Sequence, residues 1–365
     1  MQIIGKYTHA VVYADSIDAG SEGLLLALCN SPAAEGSKIR VMPDVHAGKG
    51  CVVGLTMTVG DRVAPALIGG DIGCGVDMYK ADAKRLDLQK LDKLIHEKIP
   101  AGFYQRKNLH RFSDEAELSK LYCSRHIREN RALLSIGTLG GGNHFIELDK
   151  NSSGEYLLII HSGSRHLGVE VEKYYHDEAF KATGDHVPYE LAYVQGELLE
   201  RYLHDMKIVQ DFAALNRRAI ADEIIKGMKF DVTDSFSTVH NYIDTESRIL
   251  RKGAVSAKAG ERLIIPLNMR DGCLVCVGKG NDEWNYSSPH GTGRTMSRTE
   301  ALNSYTLSQY KKEMSHIYST TVSRETLDEC PMAYKPPQSI TDRLGETAEI
   351  IEHTIPVYNF KAENE

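Results

Sequence analysis

Arg262-Leu-Ile-Ile-Pro-Leu267 and Cys273-Leu-Val-Cys-Val277 are short apolar runs that flank a charged, glycine-containing turn and lead into Ser288-Pro-His290-Gly-Thr-Gly-Arg294. Runs of this length and composition, bounded by turn residues, read as strands, and so do residues 54–59 and 155–161. Helical periodicity is clearest over 189–228, where Leu191, Val194, Leu198, Tyr202, Met206, Val209 and Phe212 recur at three- and four-residue steps. Further helices are expected at 85–98, 298–314 and 341–353, and turns at 149–154, 182–188 and 336–339. Strands and helices come in mixed runs without regular alternation, which points to an α+β fold, not a doubly wound sheet. No long linker, internal repeat or low-complexity tract divides the chain, so residues 1–365 are expected to form one compact domain.

A chain of 365 residues with 42% hydrophobic and 25% charged residues fits an ordinary soluble globular protein. The start, Met1-Gln-Ile-Ile-Gly-Lys6, lacks a basic region followed by an apolar core, so no leader is expected, and no apolar run approaches the ~18 residues of a membrane span. Seven cysteines without framework spacing suggest reduced thiols and a cytoplasmic location. A net charge of -7 argues against coating nucleic acid through bulk electrostatics. Any phosphate must therefore be held locally, and Lys49, Arg165, Lys279, Arg294 and Arg298 sit in or beside glycine-rich motifs.

His290-Gly-Thr-Gly-Arg294 places a nucleophile beside a phosphate cradle. Neutral imidazole is nucleophilic, the glycines admit phosphate oxygens to backbone amides, and a guanidinium grips the same oxygens bidentately. This reads as phosphoryl or nucleotidyl transfer. Taken alone the motif is equally well a glycine turn with a solvent-facing histidine, but other segments join it. They are Pro43-Asp-Val-His46, Gly70-Asp71-Ile-Gly-Cys74-Gly, Gly142-Asn143-His144-Phe145-Ile-Glu147, His161-Ser-Gly-Ser-Arg165 and His240-Asn241. Asp71, Cys74, His144, His161 and His240 emerge as candidate metal ligands. Each alone would be an ordinary core residue, and their shared setting in glycine loops is what argues otherwise. Cysteine, histidine and aspartate together favour zinc over manganese on ligand chemistry alone. Cys273 and Cys276 lack a second pair and should point to opposite faces of a strand, so neither zinc nor redox chemistry is expected of them.

With Arg251-Lys-Gly-Ala254 and Ala333-Tyr-Lys335 added, these motifs occur in the order seen in the RtcB family of RNA-splicing ligases, which the chain resembles from Met42 nearly to its end. The resemblance implies mixed and antiparallel sheets with flanking helices around a central metal cleft. It implies GTP- and manganese-dependent joining of an RNA 3′-phosphate or 2′,3′-cyclic phosphate to a 5′-hydroxyl, in RNA repair or tRNA splicing. His290 would carry the guanylate and Asp44 would orient it. Two manganese ions, in place of zinc, would lie among Asp71, Cys74, His144, His161 and His240. Asn143, Phe145, Glu147, Asn241, Pro266, Asn268, Met269, Cys273, Gly291, Gly293, Tyr334 and Lys361 match positions around the guanylate, and Arg165, Arg294 and Arg298 would grip RNA phosphates. Departures are Pro266-Leu-Asn-Met269 for the usual Pro-Gly-Ser-Met, Cys273 for a serine, and four residues after Lys361. Partners implied are RNA, GTP and an activating helper protein, with the chain a monomer or weak dimer. Competing readings are a metal-dependent phosphodiesterase or phosphatase acting on nucleic acid ends, and a non-catalytic module that binds RNA ends.

Overall fold

The computed structural model describes residues 1–82 and 86–362. A seven-stranded, wholly antiparallel sheet runs in the order Asp231–Val239, Gly75–Asp82, Tyr156–Ser162, Phe145–Lys150, Ala348–Lys361, Gly272–Gly278, Arg262–Asn268. A six-stranded sheet, mixed because His9–Val12 and Ile39–His46 pair in parallel, runs Gln2–Ile4, His9–Val12, Ile39–His46, Val53–Thr58, Ile249–Lys252, Asn241–Asp244. The α+β expectation holds at this level, and the strands expected at 54–59, 155–161, 262–267 and 273–277 are present to within a residue or two.

Register explains where chemistry gathers. Gly75 pairs with both Val239 and Ser162, and Phe145 pairs with both His161 and Lys361. Five adjacent strands therefore begin or end along one edge of the larger sheet. The residues next to those ends include Cys74, His144, His161, His240 and Lys361.

The helix Gly196–Met228 spans 33 residues, about 50 Å at 1.5 Å per residue. Its apolar stripe, including Leu199, Tyr202, Met206, Val209 and Phe212, is buried against the rest of the core. Two polar residues on it are also buried. Asn216 Oδ1 accepts from the amides of Gly137 and Thr138, and its Nδ2 donates to Gly163 O at 3.1 Å. Arg217 donates to Asp77 Oδ1 at 2.6 Å, Gly73 O at 2.8 Å and Ser162 O at 3.1 Å. The helix thus pins the loop that carries Asp71 and Cys74 and the strand end that carries His161.

Three helix expectations need correction. The one at 189–228 starts only at Gly196, since Tyr189–Leu191 is a short 3-10 turn and Val194–Gln195 pairs with Arg62–Val63. Leu191 and Val194 are buried anyway, which mimics a longer helical stripe. The expected helix at 298–314 is two helices, Arg298–Ser304 and Leu307–Glu313, because Thr306 caps the second through a reciprocal pair with Gln309. Most of 341–353 is not helical. A short helix Gln338–Leu344 ends there and Ala348–Lys361 is a 14-residue strand, its β-branched residues favouring the extended pairing that joins the two halves of the sheet. The helix expected at 85–98 runs Leu88–Lys98, and residue 85 lies outside the described residues. Helices Ala19–Cys29 and Arg165–Thr183 were not anticipated. No helix among the described residues is long and apolar enough to cross a membrane.

Candidate functional site

Along the shared strand edge, five side chains meet closely. Cys74 Sγ lies 3.4 Å from His144 Nε2 and 3.3 Å from His161 Nε2. His161 Nε2 is 2.9 Å from His240 Nε2, and Asp71 Oδ2 is 3.2 Å from His144 Nε2. Backbone bonds fix this cluster. The His240 amide donates to Cys74 O at 3.0 Å, the Gly73 amide donates to Asn241 O at 2.8 Å, and Asn241 Nδ2 donates to Asp71 O at 2.8 Å. Gly163 has to be glycine here, because a Cβ would stand 2.0 Å from Asp71 Oδ1.

The donor set fits a metal on its own chemistry. His144 Nδ1 lies 2.9 Å from Leu139 O and His161 Nδ1 lies 3.2 Å from Asn143 O. A carbonyl only accepts, so both Nδ1 atoms carry the hydrogen, and both Nε2 lone pairs face Cys74. Arg165 Nη1 is 3.2 Å from His144 Nδ1, but a guanidinium cannot accept, and the shorter contact to the carbonyl is the bond that nitrogen makes. Burial, reinforced by neighbouring imidazoles, keeps His161 and His240 neutral. Burial opposes ionisation of Asp71, yet the charge of the neighbouring Arg165 favours it, and its carboxyl lies well below the usual carboxylate range. Burial and the charge of Asp71 push the Cys74 thiol up, so binding a cation there would release its proton. Electron-pair donors thus converge at one place.

His290 arrives from a different part of the fold. Its short strand Ser287–Pro289 pairs with Ala254–Ser256, and the preceding Gly253 amide donates to His240 O at 2.7 Å. The rings of His290 and His240 lie 5.0 Å apart. Asp44, fully buried on the strand Ile39–His46 of the smaller sheet, places Oδ2 2.6 Å from His290 Nδ1 and 3.3 Å from its backbone nitrogen. The other oxygen, Oδ1, is buried without a hydrogen-bond partner among the described residues, so His290 is the group that this carboxylate serves. Gly293 adopts a left-handed φ of +75°, and a Cβ there would stand 2.5 Å from Asp44 O. The glycine loop and the strand carrying Asp44 are therefore in direct contact.

His290 opens into a cavity of about 770 Å3, within the range of small-molecule sites. Its walls include His161, His240, Asn143, Phe145, Glu147, Pro266, Asn268, Met269, Gly291, Gly293, Arg294, Arg298, Tyr334 and Lys361. Asn241 and Cys273 do not line it. Asn241 is turned to the Asp71 loop, and Cys273 lies behind the wall with Sγ 3.8 Å from Glu147 Oε1. Cys273 and Cys276 pack in different clusters, as opposite faces of a strand require, and all seven cysteines are free.

Two buried carboxylates in or behind the wall of this cavity were not foreseen from the sequence. One is Glu329, buried, which receives Tyr334 Oη at 2.6 Å, Arg294 at 3.1 Å, and Arg298 and Lys361 at 2.7 Å each. Burial opposes its ionisation, but Lys361, Arg298 and Arg294 hold it down at about 2. Arg294 also donates to Asp328 O and Met296 O and lies over the Tyr334 ring, so its guanidinium is committed to the wall. The other is Asp149, which lies beside Glu147, itself expected at the site, and burial raises both carboxyls, Asp149 to about 6. Asn359 Nδ2 donates to Glu147 Oε2 at 2.6 Å, and Thr354 Oγ1 to Asp149 Oδ2 at 2.5 Å. His46, quoted in its motif without a role, also lines the cavity. Asn268 caps the turn at Arg270 and Asp271 through Oδ1.

Comparison with known proteins gives a consistent result. A family model described as tRNA-splicing ligase RtcB matches residues 28–127 and 114–362. An RNA-splicing ligase RtcB of Escherichia coli K12 is 31% identical over 358 residues, covering 86% of this chain and 87% of that protein. RNA-splicing ligase RtcB1 of another Escherichia coli strain is 32% identical over 357 residues, with the same coverage. A tRNA-splicing ligase RtcB of Aeropyrum pernix is 26% identical over 444 residues, covering 94% of this chain and 91% of that protein.

Proposed function

The chain belongs to the RtcB family, and from that premise we propose that it is a GTP-dependent RNA ligase joining 3′-phosphate or 2′,3′-cyclic phosphate ends to 5′-hydroxyl ends through a guanylylated His290. The observation that carries the reading is the Asp44–His290 pair set beside the convergent donor cluster at the floor of a nucleotide-sized cavity. One domain spanning the chain, working in the cytoplasm as a monomer or weak dimer, suffices for it.

The chemistry assigned to each residue follows from its setting. Asp44 accepts the Nδ1 hydrogen of His290, which leaves the Nε2 lone pair free and stabilises the ring as it gains charge. Nε2 forms a bond to the α-phosphorus of GTP as the bond to pyrophosphate breaks. An RNA 3′-phosphate oxygen then takes the guanylyl group from His290, restoring the imidazole. The 5′-hydroxyl finally attacks the activated RNA phosphorus and expels GMP, its proton passing to solvent. A cyclic end first gains water to give the 3′-phosphate. Asp71, Cys74, His144, His161 and His240 would hold manganese, which when bound supplies positive charge against phosphate oxygens and polarises phosphorus. Glu147 would accept from the guanine N1 and N2 donors, and Lys361 and Tyr334 would complete the base pocket. Arg165 and Arg298 would meet RNA phosphates.

Protein supplied with manganese and α-labelled GTP should take up an acid-labile, alkali-stable label, and His290→Ala should take up none. A fully metallated wild-type protein that stays unlabelled while releasing phosphate from RNA ends would instead identify a phosphatase. Binding of RNA ends with neither label nor release would identify a binding module.

A further inference from the structure

A second cavity, of about 440 Å3, lies on the other side of the candidate metal centre. Asp71 and His144 line it, and Asn143 and Arg298 line both cavities, so the donor cluster stands as a wall between them. A nucleotide in the larger cavity leaves this second opening as a route by which a polymer end can reach the same centre. Its lining also brings cationic side chains, Arg131 and Arg165, into a protein whose net charge is -7.

At the mouth stand Phe103 and Tyr104, 70% and 79% exposed. One exposed aromatic needs no explanation, but two in succession beside a basic cavity form an apolar surface with a direction. Their loop is fixed on both sides. The Gly102 amide donates to Gly140 O at 2.9 Å, the Arg106 amide donates to Leu134 O at 3.0 Å, and Gln105 Nε2 donates to Arg131 O at 3.2 Å. Gly140 opens the segment that carries His144. The same glycine lies under the Arg165 guanidinium, where a Cβ would stand 1.8 Å from Cζ. The aromatic loop, the arginine and the ligand loop are thus one construction.

We propose that this second cavity receives an unpaired terminal nucleotide of an RNA strand, its base stacked on Phe103 or Tyr104 and its phosphates against Arg131 and Arg165. The inference rests on the ligase reading. Stacking tolerates any base, since each presents a π face, so this platform selects for unpaired ends and not for sequence. It positions the strand and takes no part in bond making.

The test uses the whole protein, single-stranded RNA bearing a 3′-phosphate and single-stranded RNA bearing a 5′-hydroxyl. Replacing both aromatics by leucine should weaken binding of one strand by roughly 5- to 100-fold, as loss of base stacking does. His290 labelling by GTP should not change, and Phe103→Trp with Tyr104→Trp should restore binding. An abasic terminal nucleotide should lose the same factor on the wild type and nothing further on the leucine variant. The strand that shows this coupling is the one the cavity holds. Binding of both strands unchanged in the leucine variant, or an abasic penalty that survives in it, overturns the proposal. Because binding is read without GTP, an unlabelled wild-type protein would count against the ligase reading alone.

Discussion

Two regions of the larger cavity handle charge in opposite ways. In the donor cluster, a thiol, a carboxylate and three imidazoles converge, and backbone carbonyls turn two of the imidazoles so that their lone pairs face inward. In the wall formed by Glu329, three cationic side chains and a phenol are already satisfied by a buried carboxylate. The first arrangement is completed by an added cation, while the second is complete as folded. The difference separates chemistry from positioning. The cluster is expected to gain stability from manganese, and the wall is expected to hold its shape without it.

The sharpest way to break this division is Asp44→Asn. An amide can present its NH2 to His290 Nδ1 and favour the wrong tautomer, so the guanylylation rate should fall by roughly 10²- to 10⁴-fold while manganese binding is kept. A loss of both would mean that Asp44 supports the fold and not the nucleophile. Next in size is Glu329→Gln. Lys361, Arg294 and Arg298 would then share a buried site without their carboxylate, and unfolding should become easier by about 3 kcal/mol, read in denaturant with and without manganese. An equal loss in both conditions sharpens the comparison, and no loss would show that the wall is held by packing alone.

The smallest expected effect concerns Asp149. Burial holds its carboxyl at about 6, whereas in an unfolded chain it titrates near 4. A raised folded value means that folding takes up a proton between these limits, so the stabilisation is complete below about pH 4 and lost as pH rises through 6. Compared with Asp149→Asn, the wild type should therefore lose on the order of 2 kcal/mol from pH 4 to 7, read as a widening Tm difference. Parallel Tm curves would show that Asp149 is ionised throughout.

Much of the donor cluster was legible because its residues sit in short glycine loops next to strand ends, where local sequence and function coincide. Asp71, Cys74, His144, His161, His240 and His290 do come together. Arg294, Arg298, Tyr334 and Lys361 were expected at the site, but the carboxylate that gathers them, Glu329, was not legible. The members of that wall lie far apart in sequence, and Asp328-Glu329 reads like any solvated acidic pair until the chain folds over it. Arg217 and Asn216 did leave a signal, since both fall on the buried stripe of the long helix, where a polar residue needs a partner. Thr306-Leu-Ser-Gln309 likewise spells a capping box that divides the helix expected at 298–314. The segment 348–361 misled for a tertiary reason. Glutamates interspersed with isoleucines suit an amphipathic helix, but strands on both sides offer the segment a full set of backbone partners.

The central claim is that the convergent donors hold a pair of divalent cations beside His290. Equilibrium dialysis of metal-free protein against manganese tests it most directly, with Cys74→Ala and His161→Ala measured alongside. The account predicts two manganese ions per wild-type chain and fewer in both variants. Absence of manganese binding by the wild type, or full binding retained in both variants, would contradict it.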